Sequence, residues 1–266
     1  MPIRSERASE RRISIDSDGP PKLENFGEVS PRLFYKIGGR IWASRFNLRN
    51  GYQLSEYKRE NMIAIIDYGM GNLRSVQKAM ERAGAQAKIT QKPEDIAKAS
   101  KIILPGVGAM RPAMEKLDAL GLIPAVKKAI AAGKPFLGIC LGLQLLFEKS
   151  NEGGDVKGLG ILKGKVERFS SSKQKVPHMG WNQLKFKKTE NGLFKGIAPL
   201  SYAYFCHSYF VKPKDAKSAA ATTDYGGEFV SAIAVDNIYG VQFHPEKSQT
   251  IGLKILENFN KLSDSA

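Results

Sequence analysis

From residue 62 onward the chain alternates short apolar runs with amphipathic ones, and this alternation restricts the fold more than any other feature. MIAIID (62–67) reads as a strand, followed by the Gly-rich turn YGMGN and a helix, LRSVQKAMERAG, closed by Gly84. AKIT is a second strand, PEDIAKA a short helix opened by Pro93, and KIILPGVG a third strand running into a turn. Residues 112–133 read as one helix, PFLGI as a fourth strand, and LGLQLLFEK as the helix after it. Strands separated by helices require a parallel sheet with helices on both faces. The second half changes character. GKVERF, NQLKF, YAYFCHSYF, AAATTDY, VSAIAVD and IYGVQFHP all read as strands, and a helix over 248–262 closes the chain. The expectation is an α/β fold: a mostly parallel central sheet with flanking helices and a strand-rich second half.

Composition divides the chain near Met62. Residues 1–61 hold nine Arg and three Lys, whereas residues 62–266 hold four Arg and twenty-five Lys. The first stretch shows little periodicity, has no apolar core of the secretory kind, and carries too many acidic residues for an organellar transit peptide. It reads as a poorly ordered extension, or as sequence upstream of the natural start, ahead of a domain over 62–266. The net charge of +15 invites a nucleic-acid reading, but the lysines are scattered and no nucleic-acid motif accompanies them. A solvated basic surface explains them. No apolar run is long enough to span a bilayer. Two cysteines, Cys140 and Cys206, make neither a disulfide framework nor a metal site. A reducing cytoplasm, no membrane, no metal and no cofactor are expected.

GMGNLR in the first turn departs from a dinucleotide fingerprint: Arg74 stands where a third Gly is needed, and Thr90 where an acidic residue would end the second strand. The turn with chemical potential is GICLGLQ. A strand that passes directly into a helix forms a sharp elbow, and Gly138 and Gly142 allow close packing around it. Such an elbow lifts the Cys140 thiol above the sheet edge, at a helix N-terminus that favours a thiolate. It also leaves the Leu141 N–H free to face an oxyanion. A small buried Cys packed at a strand end fits this stretch equally well.

QFHPEK (242–247) shifts the balance toward chemistry. A strand delivers His244 to a carboxyl-end loop, with Glu246 two positions on. A nucleophilic Cys needs a group that takes its proton and later protonates a leaving amine, and a carboxylate on the other ring nitrogen fixes the tautomer. His178 and His207 have no acidic neighbour so placed.

GICLGLQ and HPE resemble the paired signatures of class I, triad-type glutamine amidotransferases. DYGMGNLRSV, LPGVGA, VPHMGWN and YFCHSY are similar to the subfamily that serves imidazole glycerol phosphate synthase, and the likeness covers residues 62 to about 262. The resemblance implies Cys140 as nucleophile, His244 as base and acid, and Glu246 as orienting carboxylate. It implies an oxyanion hole from Gly106, Val107, Gly108 and Leu141, and contacts to L-glutamine from Gln144, His207, Ser208 and Tyr209. It further implies a one-to-one heterodimer with a (β/α)₈-barrel cyclase, contacted by Asn72, Trp181, Tyr204 and Lys247. That cyclase would use the ammonia to make imidazole glycerol phosphate and an aminoimidazole carboxamide ribotide in histidine biosynthesis. Cys206 stands where the family often has Val, and is expected to be a small buried apolar residue; His178 is expected to hold a loop or face the partner. Other readings stay open: a paralogue feeding ammonia to another synthase, a stand-alone thiol hydrolase, or an inactive scaffold, against which the intact Cys140, His244 and Glu246 set argues.

Overall fold

The structure is a computed structural model that describes residues 33–37, 40–47, 51–56, 60–172, 174–187 and 192–263, with side chains from Met62 on. The chain divides into two units, 1–57 and 58–266. In the first, strands β1 (Leu33–Ile37), β2 (Arg40–Asn47) and β3 (Gly51–Glu56) pair as an antiparallel meander. The expectation of a poorly ordered extension falls mainly on residues outside those described.

The second unit opens with β4 (Glu60–Ile66), two residues earlier than the sequence suggests, then α1 (Leu73–Arg82), β5 (Ala87–Thr90), α2 (Pro93–Lys98) and β6 (Ala99–Gly106). Helices α3 (Met110–Ala119) and α4 (Leu122–Ala131) precede β7 (Phe136–Cys140) and α5 (Leu141–Leu145). The remainder is β8 (Phe147–Ser150), β9 (Val156–Lys157), β10 (Leu162–Arg168), β11 (His178–Gln183), β12 (Lys185–Phe186), β13 (Tyr202–His207), β14 (Tyr209–Pro213), β15 (Ala219–Asp224), β16 (Glu228–Val235), β17 (Ile238–Val241) and α6 (Gln249–Lys261). The central sheet runs β5-β4-β6-β7-β17-β16-β14-β10-β8-β9, with β15 and β12 branching from β16. The strands from β5 to β17 are mutually parallel, and β17, β16, β14 and β10 alternate in direction. This is the α/β class expected, with the parallel half first and the antiparallel half second.

Burial on both faces explains the unbroken apolar strands. In β4, Ala64 and Ile66 pack with Leu104, Met110, Leu117 and Val126 under α3 and α4. Ile63 and Ile65 point the other way, with Val76 and Met80 of α1 and Ile255 and Phe259 of α6.

Three element boundaries depart from the sequence reading. The single helix expected over 112–133 is two, because Gly121 turns into the left-handed region at φ +64. The helix after Cys140 stops at Leu145, and Phe147–Ser150 becomes a strand parallel to β10. There the carbonyls of Leu145, Leu146 and Phe147 accept from the N–H groups of residues 159–162, so distant backbone replaces the helical ladder. YAYFCHSYF breaks at Ser208 into β13 and β14, which join different sheets. The two-stranded β11–β13 sheet places His178 opposite His207 and Trp181 opposite Tyr204.

Candidate active site

The carboxyl ends of β6, β7 and β17 lie side by side, with Gly106 in register with Cys140 and Ile139 with Val241. β7 passes into α5 with no intervening residue, so Cys140 alone absorbs the change of direction. It takes φ +54 and ψ −106, a conformation costing roughly 1–3 kcal/mol in a residue with a side chain. Close packing over-determines that strain. A Cβ at Gly138 would lie 2.6 Å from the Gly142 carbonyl oxygen, and one at Gly142 would run into the Leu104 carbonyl. As first residue of α5, Leu141 has no intrahelical acceptor for its N–H. Tyr68 packs its buried hydroxyl against Gly106; burial, and then the nearby Cys140, raise its pKa, so it stays a neutral phenol.

His244 arrives just past β17, its N–H bonded to the Tyr204 carbonyl at 2.9 Å. A short turn over Pro245–Lys247 folds Glu246 back, so that Nδ1 of His244 meets Oε1 of Glu246 at 2.9 Å with both side chains buried. Burial alone would depress the imidazole. Hydrogen bonds to Cys140 and Glu246, and the negative charge on each, outweigh it and lift the pKa to about 10. The raised pKa favours the protonated ring, with Nδ1–H directed at Glu246 and Nε2 left for the cleft side. The Sγ atom also lies 3.9 Å from the Cys206 carbonyl and receives the Gln242 Nε2–H at 3.6 Å.

The other two histidines are kept neutral. Burial depresses His178 to about 4 and His207 to about 3, the latter opposed by its bond to the Tyr209 carbonyl and aided by the charges of His178 and His244. His207 Nδ1 lies 2.7 Å from the Tyr209 carbonyl oxygen, and its Nε2 lies 3.1 Å from Nδ1 of His178. Gln144 donates to that same carbonyl at 2.9 Å and to Oε1 of Gln242 at 3.1 Å.

A cleft of about 470 Å³ opens over the sulfur. Val107, Gly108, Leu141, Gln144, His207, Ser208, Tyr209 and His244 border it, and so does Lys247, expected instead at the partner face, while Gly106 lies behind Val107 and Glu246 behind His244. A larger groove of about 600 Å³ along β10, β14 and β16 holds lysines paired with Glu167 and Glu228 but no nucleophile, so the chemistry belongs to the smaller cleft. Of the four expected partner contacts, three come together: Lys247 sits 5.7 Å over the Tyr204 ring, and Trp181 meets that ring edge-on at 6.0 Å. Asn72 is exposed and caps α1 through Ser75 N–H, apart from that cluster.

The structure sharpens two expectations. Cys206 is half-buried, not fully buried, because its strand borders the cleft and turns its carbonyl to Cys140. His178 does not face outward; it is buried on β11, stacked on Phe205 and, at 3.9 Å, on Tyr225 of the turn between β15 and β16, so it braces that loop from inside. Sequence reasoning missed Gln242 and Glu152. Gln242 precedes the His-Pro-Glu run by two residues, which was its only signal. Glu152 caps α3 through the Met110 N–H at 2.9 Å and borders the cleft; it follows a strand that reads as helix, so nothing local marked it.

Comparison with known proteins gives consistent results. The profile of the family described as glutamine amidotransferase class-I matches residues 64–262. The chain is 50% identical over 207 residues to an imidazole glycerol phosphate synthase subunit HisH of Syntrophotalea carbinolica, covering 76% of this chain and all of that one. It is 54% identical to the protein of that name from Sulfurimonas denitrificans, covering 75% and 98%. Among solved structures, PurLQS from Thermotoga maritima superposes with a TM-score of 0.59 at 19% identity, over 75% of this chain and 97% of that one, a likeness of fold alone.

Proposed function

Because the chain belongs to the class-I glutamine amidotransferase family, we propose that it hydrolyses L-glutamine to glutamate and ammonia at Cys140, as the glutaminase subunit of an imidazole glycerol phosphate synthase. The observation that carries this reading is the strained Cys140 elbow held against a buried His244–Glu246 pair.

The steps follow from the charges. The Cys140 thiolate attacks the side-chain amide carbon, and the carbonyl oxygen becomes an oxyanion. The Leu141 N–H and the main chain of Val107 and Gly108, which border the cleft, are the groups offered to it. The tetrahedral adduct collapses as His244 gives its Nε2 proton to the departing nitrogen, releasing ammonia and leaving a glutamyl thioester. Neutral His244 then takes a proton from water, whose oxygen attacks the thioester. Collapse of the second adduct expels the thiolate and frees glutamate. Glu246 holds the Nδ1 hydrogen throughout and keeps Nε2 aimed at the reacting atoms. Glu152, Gln144 and the HSY backbone flank the rest of the cleft, as acceptors and donors for the ends of an amino acid.

The ammonia then passes to a (β/α)₈-barrel cyclase. Two observations support a partner on this side: the relatives are named as synthase subunits, and Met179, Trp181 and Tyr202 on β11–β13 are 62%, 46% and 54% exposed. For large apolar side chains that is an unpartnered face. Co-expression with the cyclase and replacement Cys140→Ala test the proposal together. Glutamine-driven synthesis should fall by three orders of magnitude or more, roughly the cost of a lost covalent nucleophile, while ammonium-driven synthesis persists. Retained glutamine-driven turnover would reject Cys140; loss of both activities would reject the division of labour.

A further inference from the structure

The polar groups beside the cleft form one chain whose hydrogen directions are all determined. The Tyr209 carbonyl can only accept, so Nδ1 of His207 at 2.7 Å must carry the hydrogen. A neutral imidazole then has only a lone pair at Nε2, and Nδ1 of His178 at 3.1 Å must be the donor to it. Nε2 of His178 is in turn an acceptor, and Asn182 Nδ2 lies 3.3 Å from it while also donating to the Asp224 carbonyl at 2.8 Å. At the other end the Tyr209 carbonyl is shared with Gln144, whose amide nitrogen also donates to Gln242. Both Gln144 hydrogens are thereby turned away from the cleft, and its Oε1 is the end left to accept from a ligand.

We propose that His178 is a positioning residue for the substrate. By donating to His207 it fixes that ring against the Tyr209 carbonyl, and so holds Gln144 with its oxygen toward the α-ammonium group of bound glutamine. The proposal deepens the glutaminase reading and rests on it. His178 does not border the cleft, so any effect on substrate must travel through His207. With His178 in place His207 is held at both nitrogens. Without it the ring is held at one, and a rotation would bring its lone pair against the Tyr209 oxygen. That would loosen the acceptor that orients Gln144.

Two substitutions in the cyclase complex separate positioning from packing. His178→Phe keeps the stack on Phe205 and Tyr225 but removes the donor. His178→Asn loses the stack but keeps a donor close to the Nδ1 position. The expectation is a KM for glutamine raised about tenfold in His178→Phe with kcat changed less than about threefold, and a KM near wild type in His178→Asn despite a lower melting temperature. The reverse order, with the Asn variant worse in KM than the Phe variant, would overturn the proposal, as would a KM unchanged in both. Long-range ¹⁵N–¹H spectra of the wild-type protein give an independent reading. Both His178 and His207 should be protonated at Nδ1; an Nε2–H on either ring would overturn the proposal even with a working glutaminase. Absence of glutamine hydrolysis in the wild-type complex would instead reject the glutaminase reading and leave the tautomers measurable.

Discussion

Gln242 offers a quantitative test of how the sulfur is held. Its side chain is fully buried, its Nε2–H points at Cys140 Sγ from 3.6 Å, and its Oε1 accepts from Gln144 at 3.1 Å. Replacement Gln242→Met keeps volume and removes both polar ends. A hydrogen bond to a charged acceptor contributes roughly 1.5–3 kcal/mol, and a long N–H···S contact belongs at the lower end. The bond strengthens as charge returns to the sulfur when the thioester adduct expels the thiolate, so its loss raises the barrier to that step. About 1.5–2.5 kcal/mol corresponds to roughly a 10- to 70-fold fall in kcat for glutamine. Gln242 does not border the cleft, and Gln144 keeps its bond to Tyr209, so KM should change less than about threefold. Coupled measurement of glutamate release by the cyclase complex reads both constants, with ammonium-driven synthesis as the control for an intact partner site. A kcat within about twofold of wild type, in a variant that melts normally, would show that the Gln242–sulfur contact contributes nothing to the reaction. A rise in KM with kcat unchanged would place Gln242 with substrate binding instead.

Other expectations follow from burial and exposure. Trp181 is half-exposed and makes one edge-on ring contact, so Trp181→Ala should cost the isolated chain only about 1 kcal/mol while weakening cyclase binding by roughly 2–4 kcal/mol; calorimetry of the lone variant beside titration against the cyclase checks both, and a collapsed melt with unchanged affinity would make Trp181 a core residue. Acid should destabilise the fold through His178 and His207, whose folded pKa values of about 4 and 3 lie below the unfolded value near 6.5. In that window the unfolded chain binds protons that the folded chain does not, so stability falls as pH drops. Between pH 6.5 and pH 5 the loss is on the order of 2 kcal/mol for either ring taken alone. His244 is raised instead, and its contribution is fully present below about 6.5 and lost as pH climbs through about 10. Urea titrations at the two acidic pH values should show His178→Phe losing less stability than wild type; an equal loss would mean that His178 is protonated in the folded state.

The sequence by itself determined the architecture and which side chains make up the heart of the candidate site, because both are written locally. Apolar runs such as MIAIID and KIILPG are buried on both faces only in a parallel sheet, and the Gly-Ile-Cys-Leu-Gly run has no room for a loop between strand and helix. The His-Pro-Glu run is as compact: one short turn brings Glu246 to His244. Tertiary structure decided whatever depended on groups distant along the chain. LFEK reads as helix, yet residues 159–162 capture its carbonyls and pull Phe147–Ser150 into the sheet. Gln242 has no chemistry of its own until β17 lies beside β7 and its amide meets the sulfur. The neutrality of His178 and His207 is likewise a consequence of the β11–β13 register, which buries two rings edge to face, 29 residues apart in sequence. Periodicity reports which side of an element is apolar. Which polar groups that apolar packing brings together is set by strand register and by desolvation, and neither is encoded in any one stretch of the chain.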